Sequence, residues 1–132
     1  VVAGVGARMF DPPRAEGAMA EAMEAASPDE IADPMLKSFR HFADEQKEDR
    51  LALAACSRGT RVPLTRDSLM AIRRPTVVIA GARDQLAGPP QGLAEAISGA
   101  KAVTLPGCDH FSCIGHPMFK ATVFDFFDGW LE

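Results

Sequence analysis

What the sequence lacks sets its first limits. No Gly-x-Ser-x-Gly occurs in the 132 residues, so the chain has no strained strand-to-helix turn of the kind that exposes a serine nucleophile. No apolar run reaches the length of a membrane-spanning helix, and no basic start followed by an apolar core forms a secretory signal. The cysteines number only 3, an odd count that, without such a signal, makes a reducing cytoplasm the expected setting. Lys and Arg are scattered and the formal net charge is −4, which argues against a nucleic-acid partner. There is no internal repeat and no low-complexity segment. What remains is ordinary for one modest globular domain: 47% hydrophobic and 24% charged residues, too apolar for disorder.

The first residues, Val1-Val2-Ala3-Gly4-Val5-Gly6, read as a buried strand with no initiator Met. A strand beginning at residue one is expected where upstream sequence was cleaved, split onto another chain or never included. Asp11-Pro12-Pro13 breaks the pattern, and the Ala- and Met-rich segment from Glu16 to Ala26 is expected to be helical. Ser27-Pro28-Asp29-Glu30 has the form of a capping box with Pro at the first helical position, and Pro34 limits that helix to one turn. The next helix spans Met35 to Gln46, with Leu36, Phe39, Phe42 and Ala43 on one face. A short helix follows from Asp49 to Cys56, stopped by Gly59. Val62-Pro63-Leu64 is extended, and Leu69 and Ile72 mark a short amphipathic turn.

The second half alternates. Residues 76–80 form an apolar strand, Pro90 to Ser98 a helix with Gly99 as its C-cap, and residues 101–105 a second strand. Met118 to Leu131 is the last helix, with Phe119, Val123, Phe126, Phe127 and Trp130 on one face. Strand, helix, strand, helix predicts parallel strands joined by crossovers, an α/β fold. Asp84 and His110 each stand just past the end of one of these strands. An acid and an imidazole so placed suit the later two members of a Ser/Asp/His triad.

The order of these segments resembles the C-terminal half of an α/β-hydrolase. Pro75-Thr76-Val77-Val78-Ile79-Ala80-Gly81-Ala82-Arg83-Asp84 is similar to the acid-bearing strand of that family. Leu105-Pro106-Gly107-Cys108-Asp109-His110-Phe111 is similar to its histidine loop, and Val1 to Gly6 to the strand after the nucleophile's helix. The resemblance implies a partial α/β-hydrolase fold with parallel strands, flanking helices and a small helical cap. Residues 1–10 would be a sheet strand and turn, 11–74 the cap and connector, and 75–132 the C-terminal core. It further implies an ester, lactone or related acyl hydrolase, an esterase in the broad sense, with His110 as general base and Asp84 as the residue that orients it. No cofactor or metal is called for.

Other residues compete for these roles. Asp11 is a rival acid after the opening strand. Asp109 adjoins His110 but shares its loop. His116, before Pro117, suits a helix start, and His41 the polar side of a cap helix. Ser27, Ser57, Ser68 and Ser98 are read as helix-end residues, Ser38 as internal to a helix, and Ser112 lacks the glycines of an elbow. Cys108, His110, Cys113 and His116 put four zinc-ligand types on one loop, at a tighter spacing than paired zinc ligands use. Cys108 and Cys113 are expected to be reduced, packed thiols, the alternative being that the two are oxidised together, and Cys56 a small buried residue. Met9, Met19, Met23 and Met35, with Phe39 and Phe42, mostly pack the cap helices, the alternative being an adaptable apolar substrate pocket. The partner expected is an N-terminal half carrying the serine, or else a second copy joined through an open sheet edge; the substrate is a small acyl compound. A non-catalytic hydrolase-like binding or assembly module is the alternative function.

Overall fold

The computed structural model describes residues 1–11, 17–59 and 64–129. The chain divides into two compact units, one formed by Val1–Asp11 with Pro63–Glu132 and the other by Pro12–Val62.

The first unit is built on a parallel sheet in the order β1-β2-β3, from β1 (Val2–Ala3), β2 (Val77–Gly81) and β3 (Lys101–Leu105). Val78 lies opposite Val2 on one side and Ala102 on the other, so β2 is the central strand. All of its residues are buried, as its unbroken apolar run requires of a parallel strand covered on both faces. Successive side chains alternate between the faces. Val78 packs with Leu69, Leu93, Ala94 and Ile97, which come from α4 (Arg66–Leu69), α5 (Gln91–Ala94) and the turn after it. Val77 and Ile79 pack on the opposite side with Leu105, Cys108 and Cys113. Phe119, Val123 and Phe126 of α6 (Pro117–Phe127) close that face at helical spacing.

Some expectations needed correction. Only Val2 and Ala3 of the opening segment pair as a strand, and Val1 and Ala3 are exposed; the ladder ends where Gly4 turns to φ 67°. The predicted helix from Pro90 to Ser98 stops at Ala94, because Ala96 and Ile97 donate to Leu93 and Ala94, three residues back, and tighten the chain into turns. Phe127 lies off the buried stripe of α6 and is exposed, while Trp130 is outside the described residues.

The second unit contains α1 (Ala18–Glu24), α2 (Pro34–Glu45) and α3 (Arg50–Ser57). Asp33 caps α2 through Met35 and Leu36, with Pro34 at the first helical position, and Asp49 caps α3 through Leu51 and Ala52. Ser27 starts only a 3-10 turn, Pro28–Glu30, and the residues before Pro34 are driven out of helical geometry. The core is Ala20, Met23, Ala43 and Ala54, with Met19 and Phe39 against it. Met19, Met23 and Phe39 therefore pack the helices, whereas Phe42 and Cys56 are exposed. The expected extended segment at residues 62 and 63 lies outside the described residues. Among the described residues no helix is long and apolar enough to cross a membrane.

Candidate active site

The site is assembled where β2 and β3 end. Past β2, the Ala82 N–H donates to the Leu105 carbonyl at 2.8 Å and the Arg83 N–H to the Cys108 carbonyl at 3.0 Å. The turn carrying Asp84 is thereby stitched to the loop carrying His110. Gly81 permits this approach, since a Cβ there would lie 2.3 Å from the Cys108 carbonyl oxygen. The Arg83 guanidinium also donates to the Gly107 carbonyl.

Asp84 and His110 are brought together. His110 Nδ1 lies 3.0 Å from Asp84 Oδ2. The other carboxylate oxygen, Oδ1, accepts from the Leu86 N–H at 3.0 Å and the Ala87 N–H at 2.8 Å. The Asp84 side chain is fully buried and that of His110 is 30% exposed. A buried carboxylate needs such partners to offset its lost hydration. Asp84 both caps its own turn and holds the histidine, because each role uses a different oxygen.

The consequence for His110 is chemical. With a carboxylate accepting at Nδ1, the neutral ring carries its proton there and its lone pair on Nε2. The ring also rests against Gly4, where an added Cβ would sit 3.3 Å from His110 Cε1. Phe111 meets it edge-on, with ring centroids 5.7 Å apart. Held in this way, His110 can take and return a proton at Nε2.

The competing residues have other roles. Asp109 Oδ1 accepts from the Phe111 and Ser112 N–H groups and from the Ser112 hydroxyl at 2.7 Å. The Ser112 bonds hold its carboxyl below the usual range, so Asp109 and Ser112 lock their own loop. His116 caps α6, its Nδ1 accepting from the Met118 N–H at 3.2 Å. His41 and Asp11 are exposed. Ser27, Ser38, Ser57 and Ser68 each bond within their own turn. Cys108 and Cys113 face one another with sulfurs 3.7 Å apart, while His110 turns to Asp84 and His116 to the α6 backbone. The four side chains thus do not converge, and among the described residues no cluster of three or more His, Cys, Asp or Glu is arranged to hold a metal ion.

Three features of the site went unread in the sequence: the Leu86 and Ala87 amides, the Gly4 contact and the Gly81 approach. The two glycines are a visible signal, marking places where backbone or ring comes close. The amide donors carry no side-chain signature.

No protein-family model matches the chain, and no curated protein matches it. Solved structures do. A hydrolase from Pseudomonas aeruginosa is 27% identical, with a TM-score of 0.68 over 95% of this chain and 53% of its own. The enol-lactonase from Burkholderia xenovorans is 25% identical, with a TM-score of 0.67 over 96% of this chain and 54% of its own. The protein has an α/β-hydrolase fold and spans about half the length of these structures.

Proposed function

We propose that this chain supplies the acid and the base of a Ser/Asp/His site in a hydrolase of esters, lactones or related acyl compounds. The observation that carries the reading is the bond between buried Asp84 and His110 Nδ1. His110 Nε2 takes the serine proton as the serine oxygen attacks the acyl carbon, then gives it to the departing oxygen. A water loses its proton to the same nitrogen in the second half, and the acyl-serine bond breaks. Asp84 holds the tautomer and stabilises the ring while it is charged. The similarity to an enol-lactonase favours a lactone or ester over other acyl substrates. Since no Gly-x-Ser-x-Gly is present, the serine and the oxyanion donors are assigned to an N-terminal half that joins this one.

Intact-mass analysis of the purified protein, before and after a fluorophosphonate probe, tests the assignment. A labelled second chain that co-purifies is expected, with labelling slowed by roughly 10⁴-fold in Asp84→Asn. With no label and no second chain, the reading falls and a non-catalytic binding module takes its place.

A further inference from the structure

The mechanism leaves two buried nucleophiles unused. Cys108 and Cys113 are almost fully buried on the loop that carries His110, and their sulfurs are 3.7 Å apart. The Cys108 thiol points to the Leu105 carbonyl at 3.6 Å, which leaves Cys113 as the donor in the S–H···S contact. Burial pushes the Cys113 thiol up to about 12, and the contact with Cys108 adds to the shift. Cys113 is thereby a poor nucleophile toward an outside oxidant, which leaves first attack to Cys108 and suits Cys113 to the second, intramolecular step. Cys56, the other cysteine, is exposed on α3, so its surroundings are different.

A disulfide needs its sulfurs about 2.05 Å apart, so oxidation must draw the two sulfurs together from 3.7 Å. The Cys108 end is the fixed one. Its carbonyl accepts from the Arg83 N–H at 3.0 Å and lies against Gly81. Asp84 is equally constrained by the Leu86 and Ala87 amides. What rotation of the two side chains does not take up falls on the segment between them, whose Asp109–Ser112 bonds would have to shift together with His110.

We propose that Cys108 and Cys113 are an oxidation site, joined into an intraloop disulfide by hydrogen peroxide, and that the bond moves His110 relative to Asp84. In the first step one sulfur attacks the peroxide oxygen; the O–O bond breaks, a sulfenic acid forms and one water leaves. The second sulfur then attacks the sulfenic sulfur, the S–S bond forms and a second water leaves. The two thiols together lose two electrons and two protons, and the peroxide takes up both. The bond itself is independent of the proposed function. Only its meaning as a control of hydrolysis rests on that reading.

The test treats the folded protein with hydrogen peroxide, alkylates the remaining thiols after unfolding, and maps the cysteine peptides by mass. The expected result is a bridged 108–113 peptide lighter by two hydrogens, with Cys56 still alkylated and full reversal by dithiothreitol. Alkylated Cys108 and Cys113, or bridges only between chains through Cys56, overturn the site. On the same samples the His110 imidazole NMR signals are expected to shift on oxidation and return on reduction. Signals that stay in place while the bridge forms overturn the coupling. Neither readout needs hydrolase activity, so failure here and failure of the proposed function are separable.

Discussion

Asp84 divides its carboxylate between the backbone and a side chain, and that division makes it stiff. Two amides fix Oδ1, burial removes competing water, and Oδ2 is left at one position from which to hold His110. Precision in such a pair depends on the residues behind it. Gly81 is the nearest of these, because it lets the Cys108 backbone close on the turn that bears the acid. In Gly81→Ala, the new methyl group would meet a backbone carbonyl that has little room to give. Crowding of this type costs about 1–3 kcal/mol. Urea denaturation of Gly81→Ala is expected to fall in that range, accompanied by displaced His110 imidazole signals. A variant as stable as the parent, with His110 unmoved, would show that the loop can retreat and that the close approach is not what positions the histidine.

Among the elements, α1 has an end that depends on its neighbours. Its last carbonyls have no partners within the helix, and arginines from α2 and α3 supply them. Arg40 Nη1 donates to Ala22 O at 3.2 Å and Ala25 O at 2.7 Å, while its Nε bonds Asp44 at 3.0 Å. Arg50 Nη1 adds longer bonds to Met23 O and Ala25 O. Cations at a helix C-terminus also answer its dipole. Arg40→Ala strips the Ala22 carbonyl of a charged donor in a buried place, a loss of about 1.5–3 kcal/mol. The expected outcome in chemical denaturation is a destabilisation of that size, only partly recovered by Arg40→Lys, which lacks the forked reach. A change within error would mean water serves these carbonyls equally well. Nothing in the sequence announced this arginine, which is next to Phe39 and reads as a solvated charge. The strands were legible, because apolar runs closed by Gly and Asp signal buried parallel strands, and so were Asp84 and His110 at their ends. The early stop of α5 was not, since the choice between three- and four-residue hydrogen bonds at Ala96 and Ile97 depends on tertiary packing.

Across the whole molecule, the two units have cores of different kinds. Among the described residues the sheet unit buries Val77, Val78, Ile79, Leu93 and Leu105, whereas the helical unit buries four alanines and a methionine, Ala20, Ala22, Ala43, Ala54 and Met23. Each buried Val, Leu or Ile contributes about 1.5–3 kcal/mol, and an alanine far less. The helical unit compensates with polar closures such as Arg40 and the Arg58–Glu24 pair at 2.6 Å. That pair is exposed and holds the Glu24 carboxyl below its usual range, a modest gain at most in water. Local opening follows such differences in buried apolar area. Native-state hydrogen exchange is therefore expected to show the amides of α1, α2 and α3 opening at a lower free energy than those of β2, by roughly 2 kcal/mol, about the worth of one buried Leu or Ile. A single opening free energy shared by both units would contradict this and make the chain one cooperative block. The site gains from the inequality. Gly4, Gly81, Asp84, Leu86, Ala87, Cys108 and His110 all belong to the sheet unit, so the pair proposed to move protons stands on the unit expected to open last.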